Sequence, residues 1–135
     1  MTIHELLREK ESRMNAAGKS AGLFFAFSAK QFHENKTPKE ESEKYVDIGF
    51  GGFIPKSKLK QWEQATDEVL KWFESQIQEL GLRKAYIHYE LANHEAWYTG
   101  EIEDTLSALG EGYTAAEVWA VYNENKEAAY EAMGW

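Results

Sequence analysis

The chain has 135 residues, 43% apolar and 14% aromatic, which is enough for one hydrophobic core and too many for disorder by composition. It has no cysteine, which excludes disulfides and thiolate zinc sites, and no apolar run near the roughly 20 residues that span a bilayer. The net charge of −8 is unevenly placed: residues 1–85 balance to +1, whereas residues 86–135 hold one base, Lys126, against ten acids, so the last third disfavours nucleic acid and suits a basic partner.

Thr2-Ile3-His4-Glu5 has the pattern of a capping box and predicts a helix to about Ala17, stopped by Gly18. Its apolar stripe is Ile3, Leu6, Leu7, Met14 and Ala17. The aromatic run Gly22-Leu-Phe-Phe-Ala-Phe27 predicts a short buried strand. Ser28-Ala-Lys-Gln31 is a second capping box and opens a short helix to about Asn35. TPKEESE, residues 37–43, forms a polar loop around Pro38. Tyr45 and Asp47 then alternate with Val46 and Ile48, the period of a strand with one face inward.

After a glycine cluster, Ser57 is positioned to cap a long helix to about Leu80, closed by Gly81. Leu59, Trp62, Val69, Phe73, Ile77 and Leu80 recur along it at helical spacing. Arg83 to Glu90, RKAYIHYE, predicts a third strand, and residues 91–100 fit no one template. A short helix covers Glu101 to about Leu109, and Thr114-Ala-Ala-Glu117 is a third capping box that opens a last helix to about Met133. The expected fold is a single α+β domain: a small antiparallel or mixed sheet of about three strands with two long helices and several short ones.

Four groups of residues are candidates for function. GFGGFIPKSK, residues 49–58, follows a strand and precedes a helix, where backbone N–H groups and Lys56, Lys58 and Lys60 attract anions. Its spacing is neither G-x-x-x-x-G-K-[ST] nor G-x-G-x-x-G, and a turn explains Gly51 and Gly52 equally well. His88, Glu90, His94 and Glu95 are residue types that bind metals, but H-x-E…N-H-E matches no strong ligand spacing, and neither a metal nor a cofactor is expected. None of the seven serines stands in a G-x-S-x-G context, so no nucleophile is assigned; Glu90 with His94 is the remaining acid/base pair. Trp62 and Trp119 fall on apolar faces and are expected in the core, whereas Trp72, Trp97 with Tyr98, and Trp135 fit either core or an interface.

The last helix carries the strongest signal. At 100° per residue Glu117, Glu124, Glu127 and Glu131 lie within about 80° of one another, opposite Val118, Trp119, Tyr122, Ala129 and Met133. Like charges at this spacing cost a few tenths of a kcal/mol per close pair, with almost no base on the helix to offset them.

The segments FFAFSAKQF, EKYVDIGFGGFIPKS and YELANHEAWYTGEIEDTL resemble, in the same order, a family of small proteins of bacteriophages and prophage-bearing bacteria with no assigned activity. The resemblance implies a setting in the bacterial cytoplasm, where small phage proteins bind and disable host machinery, including restriction and CRISPR nucleases. The expected function is a non-enzymatic interaction protein that binds a basic host protein, such as a nuclease complex, through Glu101, Glu103, Asp104, Glu117, Glu124, Glu127 and Glu131, in the manner of a nucleic-acid mimic. The alternative is a protein that binds a nucleotide or phosphorylated metabolite through Gly51, Gly52, Lys56, Ser57, Lys58, His94, Trp97 and Tyr98. No membrane and no nucleic acid is expected as a direct partner, and the aromatics leave self-association open.

Overall fold

A computed structural model describes residues 1–36 and 43–134; the expected loop around Pro38 and the terminal Trp135 lie outside the described residues. In chain order these form α1 (Ile3–Ser20), β1 (Phe24–Phe25), α2 (Ala29–Asn35), β2 (Tyr45–Gly49), β3 (Gly52–Pro55), a 3₁₀ turn (Lys56–Lys58), α3 (Leu59–Glu79), α4 (Arg83–Asn93), α5 (Ala96–Thr99), α6 (Glu103–Leu109) and α7 (Ala115–Ala132). The fold is α+β, with a three-stranded antiparallel sheet in the order β1-β3-β2. The chain divides into two compact units, His4–Ser75 and Gln76–Trp135 with Met1–Ile3, and the division falls inside α3.

The third strand is not the one expected. It is β3, inside the glycine cluster, and the RKAYIHYE segment is helix α4. Gly52–Pro55 is too short, with glycine before it and proline in it, to show a period of two. Its place comes from pairing on both sides: Phe53 stands opposite Phe24 and Asp47, and Ile54 opposite Val46. The glycines therefore close a hairpin between two strands; they do not lead from a strand into a helix. Phe50 and Gly51 at its tip have φ of 55° and 77°, the positive values that tight hairpin turns need to match strand twist. Asp47 Oδ1 steadies the tip by accepting from Gly49 N–H at 2.8 Å.

One face of this sheet is held by four rings from four elements. Phe24, Phe32, Tyr45 and Phe53 pack edge-on, tilted or stacked, with centroids 5.1 Å apart for Phe32–Phe53 and 5.8 Å for Phe24–Phe53. Such pairs each add about 0.5–1.5 kcal/mol beyond the area they bury. Phe32 reaches the cluster because α2 starts where the sequence predicts: Ser28 Oγ accepts from Gln31 N–H at 3.1 Å, and Gln31 Oε1 accepts from Phe27 N–H at 2.8 Å. On the other face Ile54 is fully buried.

Two glycines act through close approach. Helix α1 does not stop at Gly18 but runs to Ser20; Leu23 closes on Gly18, where a Cβ would lie 2.8 Å from Leu23 Cδ2. Gly51 lies under the Phe27 ring, 2.3 Å from Cε1 for a built Cβ. By contrast Gly81 ends α3 as predicted, with φ of 64° and with Leu82 N–H and Gly81 N–H donating back to Ile77 O and Gln78 O.

In the C-terminal unit α4 is the common neighbour of α5, α6 and α7. Tyr86, Ile87, Glu90 and Leu91 are its buried residues. Trp119, expected in the core, is instead 37% exposed and rests edge-on against Tyr122 at 5.1 Å.

Gly51→Ala is expected to lower stability by about 1–2 kcal/mol, mainly through its left-handed backbone, with a smaller cost for turning the exposed Phe27 ring aside. Gly49→Ala, where φ is 93° with open space around it, is expected to cost only about 1 kcal/mol. Urea denaturation of both variants checks the difference.

Candidate functional site

Arg83–Asn93 is helical because its burial does not alternate. Tyr86 and Glu90 are buried while His88 between them is exposed, and the buried set 86, 87, 90, 91 is one helical face. His88 and Ala92 are left on the outer side. Beyond Asn93 the chain turns sharply. Glu95 adopts the left-handed conformation, φ 54° and ψ 32°, and leads into the single turn α5. That geometry costs a non-glycine residue on the order of 1 kcal/mol.

The turn brings Trp97 back against its neighbours. The indole is buried, lies 4.9 Å from the His88 ring, and stacks on Tyr122 of α7 at 6.1 Å with an interplanar angle of 14°. Its Nε1 is buried with no acceptor among the described residues. Helix α7 begins at the predicted cap, Thr114 Oγ1 accepting from Glu117 N–H at 3.2 Å. Its first half buries Val118, Val121 and Tyr122, and its second half turns alanines outward.

These elements enclose a groove of about 600 Å³. One wall is His88 and Ala92 of α4, with Glu95, Trp97 and Tyr98; the other is Asn125, Ala128, Ala129, Ala132 and Met133 of α7. The lining is apolar and aromatic with three polar side chains besides the ring N–H and phenol, and no lysine or arginine is among the residues that line it. Volumes of 300–1,000 Å³ with such lining are typical of binding sites.

Over residues 5–130 the chain matches DUF7659, a family of unknown function. The chain belongs to this family. No curated protein and no solved structure matches it.

Two of the seven acids singled out in this DUF7659 chain are engaged within the fold. Glu117 receives a two-pronged bond from Arg83, Nε to Oε1 at 2.5 Å and Nη2 to Oε2 at 2.9 Å. Arg83 also donates to Gly112 O and lies 4.0 Å over the Tyr113 ring. The Arg83 hydrogen bonds hold the Glu117 carboxyl below its ordinary range, against the opposing effect of burial. Glu124 pairs with Lys84 Nζ at 3.4 Å. The acidic face of α7 therefore does have offsetting bases, and they come from α4. Glu127 and Glu131 on α7 are exposed, as are Glu101, Glu103 and Asp104, which line a small hollow of about 230 Å³ with His94 and Thr99 at the start of α6.

The residues proposed for an anion fall in different units. Gly51, Gly52, Lys56, Ser57 and Lys58 belong to His4–Ser75; His94, Trp97 and Tyr98 belong to Gln76–Trp135. Ser57 does not cap α3. It sits in the 3₁₀ turn and directs its hydroxyl to Glu43 Oε1 at 3.1 Å, with its N–H on the same oxygen at 3.4 Å. The chain's own carboxylate thus takes the place an anion would need. Trp97 and Tyr98 line the groove, whereas His94 Nε2 pairs with Glu90 Oε2 at 3.1 Å. Among the described residues no three His, Asp or Glu side chains converge on a point that would hold a metal, the His88, Glu90, His94 and Glu95 set included.

Sequence reasoning missed Ala92, Asn125, Ala128 and Ala132. The available signal was the helical spacing of Asn125, Ala128, Ala129 and Ala132, where a core-facing helix would carry large apolar residues.

Two pH dependences follow. The Glu117 carboxyl is lowered in the folded state, so its contribution is full above its unfolded pKa and is lost as pH falls through the folded value. Glu117→Gln is expected to cost about 1 kcal/mol at neutral pH and to flatten the acid limb of Tm against pH. At the alkaline end, the 2.8 Å bond to Tyr130, then burial, raises Tyr122 from 10.0 to about 12. Its contribution is full below 10 and is lost as pH rises towards 12. Tyr130→Phe is expected to return Tyr122 towards its ordinary value, read from the ultraviolet absorbance of the phenolate.

Proposed function

We propose that this DUF7659 protein is a non-enzymatic interaction protein whose C-terminal unit docks a basic protein partner. The observation that carries the reading is the exposed acids with no ion pair to a described residue, Glu101, Glu103, Asp104, Glu127 and Glu131 among them. Glu117 and Glu124 are occupied by Arg83 and Lys84 and serve the fold first. Charges left without an ion pair on a surface steer an oppositely charged partner and set its orientation.

The class of partner follows from the phage setting that the resemblance implies: nucleic-acid-handling host enzymes, restriction and CRISPR nucleases among them, in the bacterial cytoplasm. Their nucleic-acid grooves are basic and accept a mimic of the phosphate backbone. Among the described residues no helix is long and apolar enough to cross a membrane. The nucleotide alternative has weaker support, since Ser57 already holds Glu43 and no cation lines the larger groove.

Reversal of Glu101, Glu127 and Glu131 to lysine, with Glu103 and Asp104 changed to Gln and Asn because they stand in the first turn of α6, leaves the two structural ion pairs intact and should lower Tm only slightly. Captured from bacterial lysate and identified by mass spectrometry, the partner is expected to bind the variant at least tenfold more weakly and with a shallower salt dependence. Equal affinity in variant and parent would sink the proposal.

A further inference from the structure

We infer that the groove of α4, α5 and α7 holds one flat, uncharged heteroaromatic ring of the nucleobase kind, carrying no phosphate. The site goes beyond the acidic docking surface and does not rest on it.

The shape argues for a flat molecule. A volume of about 600 Å³ lies within the range of small-ligand sites. The α7 wall is Ala128, Ala129 and Ala132, whose methyl groups project little, and the other wall carries the rings of His88, Trp97 and Tyr98. The Trp97 ring is fixed between elements, stacked on Tyr122 at 6.1 Å and 4.9 Å from the His88 ring. Tyr98 is left 67% exposed, so burial within the fold does not account for a phenol at the groove. Rings on one wall and small side chains on the other leave a slot that a flat ring fills, and every nucleobase has a π-face for such stacking.

Charge in the groove favours neither sign of ion. The lining holds one acid, Glu95, one histidine, His88, and no lysine or arginine. A phosphate or carboxylate would meet Glu95 with no lysine or arginine in the lining to balance it. A cation would have Glu95 alone, with Lys126 next to the lining Asn125 in the chain to oppose it. An uncharged ligand meets neither cost.

The polar atoms at the groove match the rim of a heteroaromatic ring. Asn125 Nδ2 donates to Val121 O at 2.7 Å, which leaves its Oδ1 and its second N–H. An acceptor beside a donor is the pair with which asparagine reads the edge of adenine. Trp97 Nε1 is a further donor, buried with no acceptor among the described residues. Buried donors of folded proteins have a partner in the great majority of cases, so this N–H calls for an acceptor from outside the described residues. A hydrocarbon ring supplies neither partner, whereas a ring with its own N–H groups and ring nitrogens supplies both.

The probe is 2-aminopurine riboside, which is uncharged at neutral pH and whose fluorescence falls when the ring stacks on an aromatic side chain. It is compared with its 5′-monophosphate, the same ring with charge added, and is challenged with cyclohexylmethanol, which is apolar but not flat. Saturable quenching of the riboside is expected, with shifts of the Ala128 and Ala132 methyl resonances. The monophosphate should bind at least tenfold more weakly, and cyclohexylmethanol should not displace the riboside. Ala128→Phe, at an exposed position, fills the slot and should weaken binding at least tenfold with Tm unchanged. Tyr98→Ala and Asn125→Ala should each weaken it several-fold.

No saturable quenching, equal or tighter binding of the monophosphate, or unchanged affinity in Ala128→Phe each overturns the inference. Displacement by cyclohexylmethanol overturns it as well, because the groove would then take any apolar molecule. If Ala128→Phe abolishes binding while Asn125→Ala leaves it unchanged, the ring is held by stacking alone and the nucleobase class is overturned.

Discussion

Burial of one face of α4 is the constraint on which the C-terminal unit depends. Ile87 and Leu91 are fully buried and Tyr86 nearly so, and each such side chain contributes about 1.5–3 kcal/mol over its exposed state. With that face inward, α5, α6 and α7 have one surface to pack against. The remaining geometry follows from the helical period. His88 and Ala92 are turned out to form a groove wall, and Arg83 and Lys84, at the start of the helix, come within bonding distance of Glu117 and Glu124. A strand over the same residues would place Tyr86, His88 and Glu90 on one side and form neither the groove nor the ion pairs.

The acidity of the last third divides into two kinds once these pairs are seen. Glu117 and Glu124 are matched by bases that lie just before residue 86, and so fall in the more basic half of a simple charge count. Their pairing offsets the like-charge cost along α7. Glu127, Glu131, Glu101, Glu103 and Asp104, with Glu95 and Glu111, have no ion pair to a described residue and are exposed. The distinction is between acids that hold two helices together and acids that face water.

The glycine cluster shows the same dependence on partners that sequence does not display. GFGGFIPKSK contains a hairpin tip, a strand and a 3₁₀ turn within ten residues. Gly51 is needed for its positive φ and for the Phe27 ring that lies on it, and Ser57 is satisfied by Glu43 from before β2. Lysines beside glycines resemble a phosphate loop only while the residues opposite them are unknown.

Much of the fold is legible in the sequence, and for local reasons. Ser28 and Thr114 cap their helices with the partners that three-residue spacing predicts, Gly81 ends α3, and β2 lies where a strand is expected, although Tyr45 and Val46 are both half-buried. Caps and C-terminal glycines act over four or five residues, so a short window contains their whole cause. The candidate site was legible only in part. Trp97 and Tyr98 stand out by type, but the alanines of α7 carry no chemical signal of their own.

The sequence by itself determined the starts of α2 and α7, the end of α3, the places of β1 and β2 and the acid excess, since each is written in neighbouring residues. Only the tertiary structure decided that RKAYIHYE is a helix, that GFIP is the third strand, which acids are paired, and that small residues border a groove. Those outcomes depend on pairings between residues far apart in the chain, Phe53 with Phe24, Arg83 with Glu117, Trp97 with Tyr122, whose energies exceed the weak local preference of short segments.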